Sequence, residues 1–103
     1  MTTLATIGIS DEIIAERDRQ QIEHCWSAQH DDTHIRGELA RAAAAYALNA
    51  ACKTFVERPP PSWPWGGWWN PSTPRRDLVK AAALIVAEIE RLDRSQGSET
   101  ERE

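Results

Sequence analysis

All six prolines of this chain lie between Pro59 and Pro74, and four of its five tryptophans lie between Trp63 and Trp69. Proline fixes φ and removes a backbone donor, so this stretch is neither a helix interior nor a central strand. A disordered linker is poor in aromatics, and four indoles carry too much apolar area to be left in water. Residues 57–73 are therefore expected to form an ordered loop that folds back on its flanks, with Gly66-Gly67 as the turn between two aromatic pairs.

The flanks read as helices. After the loop, Thr73 is the expected N-cap and Pro74 takes the first helical position, where a missing N–H costs nothing. That third helix runs to about Arg94, with Leu78, Ala82, Ile85, Ile89 and Leu92 as a stripe at helical spacing. Ala81 to Ala87 is apolar all round, which implies burial on several sides. Arg91 and Arg94 suit the C-terminal end of the dipole. Before the loop, the alanine-rich run from Gly37 to Val56 predicts a second helix. Asp32 or Thr33 would cap it, with Gly37 inside its first turns, and its small side chains let another backbone approach closely. The first helix is expected from Asp11 to Trp26, capped by Ser10. Ile14, Ile22 and Trp26 fall on one face, and Arg17 to Gln21 reads as a solvated stretch in which Arg19 is partly covered. The fold expected is mainly α: a three-helix small domain with an ordered Pro/Trp-rich loop between helices two and three. Residues 1–9 form an N-terminal extension, 10–94 the domain and 95–103 a flexible acidic tail.

A length of 103 residues suits one domain. With 12 Lys and Arg against 16 Asp and Glu, the formal charge is -4, which argues against a duplex DNA partner. The run Ala81 to Ala87 is too short to span a bilayer, and Met1 to Ser10 reads as no signal peptide. Cys25 and Cys52 form no disulfide framework, so a reducing cytoplasm is expected.

Three constellations carry possible chemistry. The aromatic loop is either a core lid over thin helices or a stacking platform, in which Trp68 or Trp69 (or Trp63 or Trp65) faces a nucleobase while Arg75, Arg76 or Lys80 meets phosphate. Arg75 and Arg76 lie in a first helical turn, where backbone N–H groups also favour anions. His30-Asp31-Asp32-Thr33-His34 has two histidines at ligand spacing, but no third ligand is set by spacing. It reads first as a capping turn with an Asp paired to Arg36 or Arg41, and second as a reach to ribose or amine from His30, Asp32 and His34. Asp31, Asp32 and Glu38 would suit a hard cation. Glu90-x-x-Asp93 is half of the paired-carboxylate arrangement that a magnesium-dependent nucleotide hydrolase needs. His24 adjoins Cys25, but neighbours on a helix point apart.

Several strings together resemble a family of small proteins encoded by tailed phages and prophages. They are Gln20-Gln21-Ile22-Glu23, Trp26, His30-Asp31-Asp32-x-His34, Gly37-Glu38-Leu39-Ala40, Tyr46-Ala47, Trp63-Pro64-Trp65, Trp68-Trp69-x-Pro71, Arg76-Asp77-Leu78-Val79-Lys80 and Ala87-Glu88-Ile89-Glu90-Arg91-Leu92-Asp93-Arg94. The resemblance covers roughly Ser10 to Arg94 and implies a setting in the host cytoplasm more than a mechanism. Members of that family often read Gly-Trp where this chain has Cys25-Trp26. A fainter likeness joins the helix ending in Trp26, Asp31-Asp32 and the Pro-rich approach to Arg76-Asp77. It is similar to ryanodine-receptor repeat domains, and implies a nucleotide-derived ligand. The function expected is a phage-encoded small-ligand binding protein that sequesters a nucleotide-derived signal of host defence, with no catalytic residue, metal or cofactor. The alternatives are a module that inhibits a host protein through the Trp loop, and a metal-dependent nucleotide pyrophosphohydrolase. A homo-oligomer is expected, joined through Ala40, Ala44, Ala47 or Ala51 and the stretch Ala81 to Ala87. Neither a membrane nor duplex DNA is an expected partner.

Overall fold

The computed structural model describes residues 2–23, 28–55 and 57–95. Within them the chain forms α1 (Leu4–Glu23), the single turn α2 (Ala28–Asp31), α3 (Glu38–Cys52) and α4 (Pro74–Ser95), and no strand. The domain is mainly α, as its periodicity implies.

The start of α4 is the one the sequence predicts. Thr73 caps it, its Oγ1 accepting from Arg76 N at 3.2 Å and its carbonyl from Asp77 N at 2.8 Å. The other two starts differ from expectation. The first helix begins at Leu4 rather than Asp11, because Thr3 Oγ1 accepts from Thr6 N at 3.1 Å and so satisfies an end donor. Ser10 then lies inside the helix, its hydroxyl donating back to Thr6 O at 3.0 Å. The expected extension of residues 1–9 is thus largely helical, and residues 2–11 are all exposed. In α3 the cap is Gly37 itself, not Asp32 or Thr33. Its φ of 80° lies in the left-handed region, so it cannot be part of the first turns. At the other end Lys53 takes φ 59° and its N–H reaches Asn49 O, stopping the helix at Cys52. Val56, the expected end of that helix, lies outside the described residues, as do His24, Cys25, Trp26 and the tail 96–103.

α4 is the central element. It packs most extensively along α3 and also against α1 and α2. Alanine makes the α3/α4 interface thin: Ala42, Ala43 and Ala45 meet Ala81 and Ala87, with Leu39 and Leu84 as the larger members. Faces this small leave volume that close packing must fill, and the loop fills it. Trp63 is buried in the same cluster as Tyr46, and Trp65 and Trp69 pack against it.

Two helix faces run against expectation. The stripe Leu78, Ile85, Ile89 and Leu92 faces outward, each side chain 41–52% exposed, while α4 buries Asp77, Lys80, Ala81, Leu84, Ala87 and Arg91. On α1, Ile14 and Ile22 are exposed, whereas Glu16, Arg17 and Gln20 are buried in the stretch expected to be solvated. Arg19 is half-buried. The alanines Ala40, Ala44, Ala47 and Ala51 lie on the exposed side of α3. No helix of the described residues is long and apolar enough to cross a membrane.

Candidate functional site

The seam between α1, α4 and the end of the aromatic loop holds most of the buried charge. It begins on α1, where Glu16, Arg17 and Gln20 form the inward face. Buried charges are tolerated only when paired. Glu16 accepts from Arg19 at 2.7 and 2.9 Å, from Gln20 Nε2 at 3.2 Å, and from Arg76 of α4. Arg17 donates to Asp31 of α2 at 3.0 Å and to Glu90 of α4 at 3.1 Å. Arg75 makes a two-pronged pair with Glu12, both contacts at 2.9 Å. Lys80 donates to Asn70 O at 2.7 Å, with its ammonium 5.5 Å from the centre of the Tyr46 ring.

A buried polar relay ties the aromatic loop to the helices. Asp77 accepts from Ser72 N at 2.7 Å and from Asn49 Nδ2 at 2.9 Å. Asn49 Oδ1 accepts from Phe55 N at 2.9 Å, and Phe55 O accepts from Trp69 Nε1 at 2.6 Å. Both ends of the loop are thereby fastened to α3 and α4. Inside it, Trp63 Nε1 donates to Gly67 O at 3.0 Å. The rings form one cluster: Tyr46 stacks on Trp69 at 4.8 Å, and Trp63 lies edge-on to Tyr46, Trp65 and Trp69. His34 meets Trp65 edge-on at 5.3 Å.

Of the predicted contact residues, the structure brings Trp68 and Lys80 to one cleft, which Glu16, Arg19, Tyr46 and Asn70 also line. It is small, about 10 Å³, room for one water. Trp69 is half-buried and committed to Tyr46 and Phe55. Arg75 and Arg76 are turned toward the carboxylates of α1. Asp32 pairs with Arg94 at 2.9 Å on the other side of the α2 turn. The side chain of His30 lies outside the described residues. Asp31 is bound to Arg17, not to Arg36 or Arg41, and Glu38 accepts from Arg36 N. Among the described residues no three His, Cys, Asp or Glu side chains gather as a metal set. Trp68 is the loop tryptophan most open to solvent: it is 51% exposed, with a backbone φ of 70°.

Sequence reasoning missed Glu16, Arg17, Gln20, Asn49 and Asp77 as positioning groups. The one local feature was the polar run Glu16 to Gln21, which by itself does not mark Glu16, Arg17 and Gln20 as the inward face.

The carboxylates of the seam are shifted in opposite directions. Burial pushes the Glu16 carboxyl up, but the bonds and charges of Arg19 and Arg76 together outweigh it and hold it below 4.5. Arg75 lowers Glu12 through its hydrogen bonds. For Asp31 burial prevails over Arg17, and its carboxyl is raised above 3.8. Burial lowers the Lys80 ammonium and pushes the Tyr46 phenol up to about 12. A lowered carboxyl binds its proton less tightly folded than unfolded, so its contribution is present above the ordinary value and lost as pH falls through the lowered one. Asp31 runs the opposite way. Acidification from about pH 6 to about pH 3 is therefore expected to lower the thermal midpoint, less steeply in Glu16→Gln and more steeply in Asp31→Asn. Melts across that range check it, and equal slopes in all three proteins would refute it.

The chain matches no family model, no curated protein and no solved structure.

Proposed function

We propose that this chain is a small helical binding module that takes a protein partner on its aromatic loop, with Trp68 as the anchor, and performs no chemistry on it. The observation that carries this reading is the state of Trp68. A bulky residue with positive φ is a backbone outlier, at about 1–2 kcal/mol above the ordinary conformation. Such strain persists where the surroundings enforce it, and it gathers at binding sites. Here it holds a half-exposed indole against Trp65 at 5.8 Å, within a loop tied down at both ends. Tryptophan supplies a disproportionate share of interface hot spots, and a rigid platform lowers the ordering cost of docking. In the phage setting that the resemblance implies, the partner is a host protein.

The test is Trp68→Gly, which removes the ring and relaxes the backbone. Partner affinity is expected to fall by about 30-fold or more, the loss of a hot spot of about 2 kcal/mol. The thermal midpoint should stay within a few degrees of the parent, since relieved strain offsets lost packing. A partner bound equally by both proteins would refute the assignment.

The second reading is the sequestering of a nucleotide-like ligand. It is favoured by Trp68 and Lys80 bordering one cleft. Phosphate would have to draw Arg75 from Glu12 or Arg76 from Glu16, and the cleft would have to open. Calorimetric titration with a nucleotide panel separates the two. Binding by the parent that is lost in Arg76→Ala and Trp68→Gly would put the ligand reading first. Arg76→Ala also strips a partner from buried Glu16, so its midpoint must be measured alongside.

A further inference from the structure

We propose that the outward stripe of α4 is a two-helix seam that takes α4 of a second copy of this chain in antiparallel orientation. Leu78, Ala82, Ile85, Ile89 and Leu92 are spaced four, three, four and three residues apart, the a/d pattern of a coiled coil. The structure turns this stripe to solvent: Leu78, Ile85, Ile89 and Leu92 are 52, 49, 52 and 41% exposed. The opposite face of the same helix is already used, with Asp77, Ala81, Leu84 and Ala87 buried against the rest of the chain. An apolar heptad stripe is matched by another helix of the same period, and two-fold pairing supplies one without any further molecule.

Size and charge select the orientation. A two-fold axis at Ile85 sets Leu78 against the partner's Leu92, Ile85 against itself, and Ala82 within one residue's rise of the partner's Ile89. The two Ala82/Ile89 layers then set small against large, which lets the faces interdigitate there, while leucine meets leucine at the ends and isoleucine meets isoleucine at the centre. A parallel pair would set Ala82 on Ala82 and leave a gap. Arg75 and Asp93 flank the stripe on one side of the helix, at opposite ends. Antiparallel pairing brings Arg75, whose exposed guanidinium also holds Glu12, to the same flank as the partner's Asp93. The helix dipoles also favour it. The stripe is about 21 Å long at 1.5 Å per residue. It is continued at its edge by Val86, which shares a groove of about 190 Å³ with Ile13 and Ile14 of α1. An interface of this extent is at the small end for specific pairs, so dissociation is expected in the micromolar range. The proposal is independent of Trp68.

Sedimentation equilibrium from about 1 to about 300 μM tests it. The parent is expected to pass from monomer to dimer, while Ile85→Lys and Ile89→Lys stay monomeric with unchanged helical circular dichroism. Both positions are exposed, so neither charge has to be buried in the fold. A parent that remains monomeric throughout would overturn the proposal. So would dimerisation of both lysine variants, which would place the contact elsewhere, including the alanine side of α3. Orientation is read by oxidising a mixture of Leu78→Cys and Leu92→Cys chains, each in a Cys25→Ser, Cys52→Ser background. Crosslinks from 78 to 92 are expected to prevail, and a prevalence of 78-to-78 crosslinks would overturn the antiparallel arrangement.

Discussion

Replacing Asp77 by leucine is expected to be the most damaging single change in this chain. The side chain is fully buried, and its two oxygens take the Ser72 N–H and the Asn49 amide. Leucine has a similar volume but accepts nothing, so two donors are left without their acceptor. Each orphaned group costs about 1–3 kcal/mol, a large part of the about 5–15 kcal/mol that holds a domain together. The damage spreads, because Asn49 also orients Phe55 and through it the indole of Trp69. A fall in the thermal midpoint of at least about 10 °C is expected. Asp77→Asn, which keeps one acceptor oxygen, should lose about half as much. Thermal melts of the three proteins decide it; a leucine variant that melts like the parent would show that the relay does not hold the loop.

Trp63→Ala is the second. Trp63 is the loop's buried indole, in edge contact with Tyr46, Trp65 and Trp69 and bonded to Gly67 O. Around it α3 and α4 offer alanine, which cannot rotate into the space left behind. The cavity therefore stays, and a loss of about 3–5 kcal/mol is expected. Trp63→Phe keeps a ring and gives up the N–H bond, so about 1 kcal/mol is expected from that bond. Denaturant titrations give both values. If alanine costs no more than phenylalanine, the loop is not part of the core.

These two positions also mark the limit of what could be read in advance. That most of the tryptophans among the prolines would pack rather than float followed from their area and from the thinness of an alanine helix; Trp63, Trp65 and Trp69 do so, and Trp68 stays half exposed. That Asp77 would be the fastening point did not, because its partner Asn49 is 28 residues away and its type is common on any helix. The cap of α4 was legible because Thr73-Pro74 is a local solution to a local problem. The start of α1 was misread because Thr3 caps as well as Ser10 does, and nothing nearby ranks the two. The contact residues divide in the same way. Trp68 was named from composition, yet only its φ and its exposure distinguish it from Trp63 and Trp69.

Helical periodicity, the breaking of the chain at its prolines and the small volume of its alanine faces are properties of neighbouring residues, and they determined a mainly α domain with an aromatic filling. Which side of each helix would be inside was decided only by assembly. The polar face of α1 is buried because Arg76, Asp31 and Glu90, brought in from α4 and α2, pair with Glu16 and Arg17. The most regular apolar stripe, on α4, points outward because the opposite face carries Asp77 and Lys80, whose bonds to Asn49 and Asn70 are made within the fold. Periodicity says that a face is apolar; it does not say what will cover it. Burial of charge turns on partners far away in sequence, so it is settled when the helices meet.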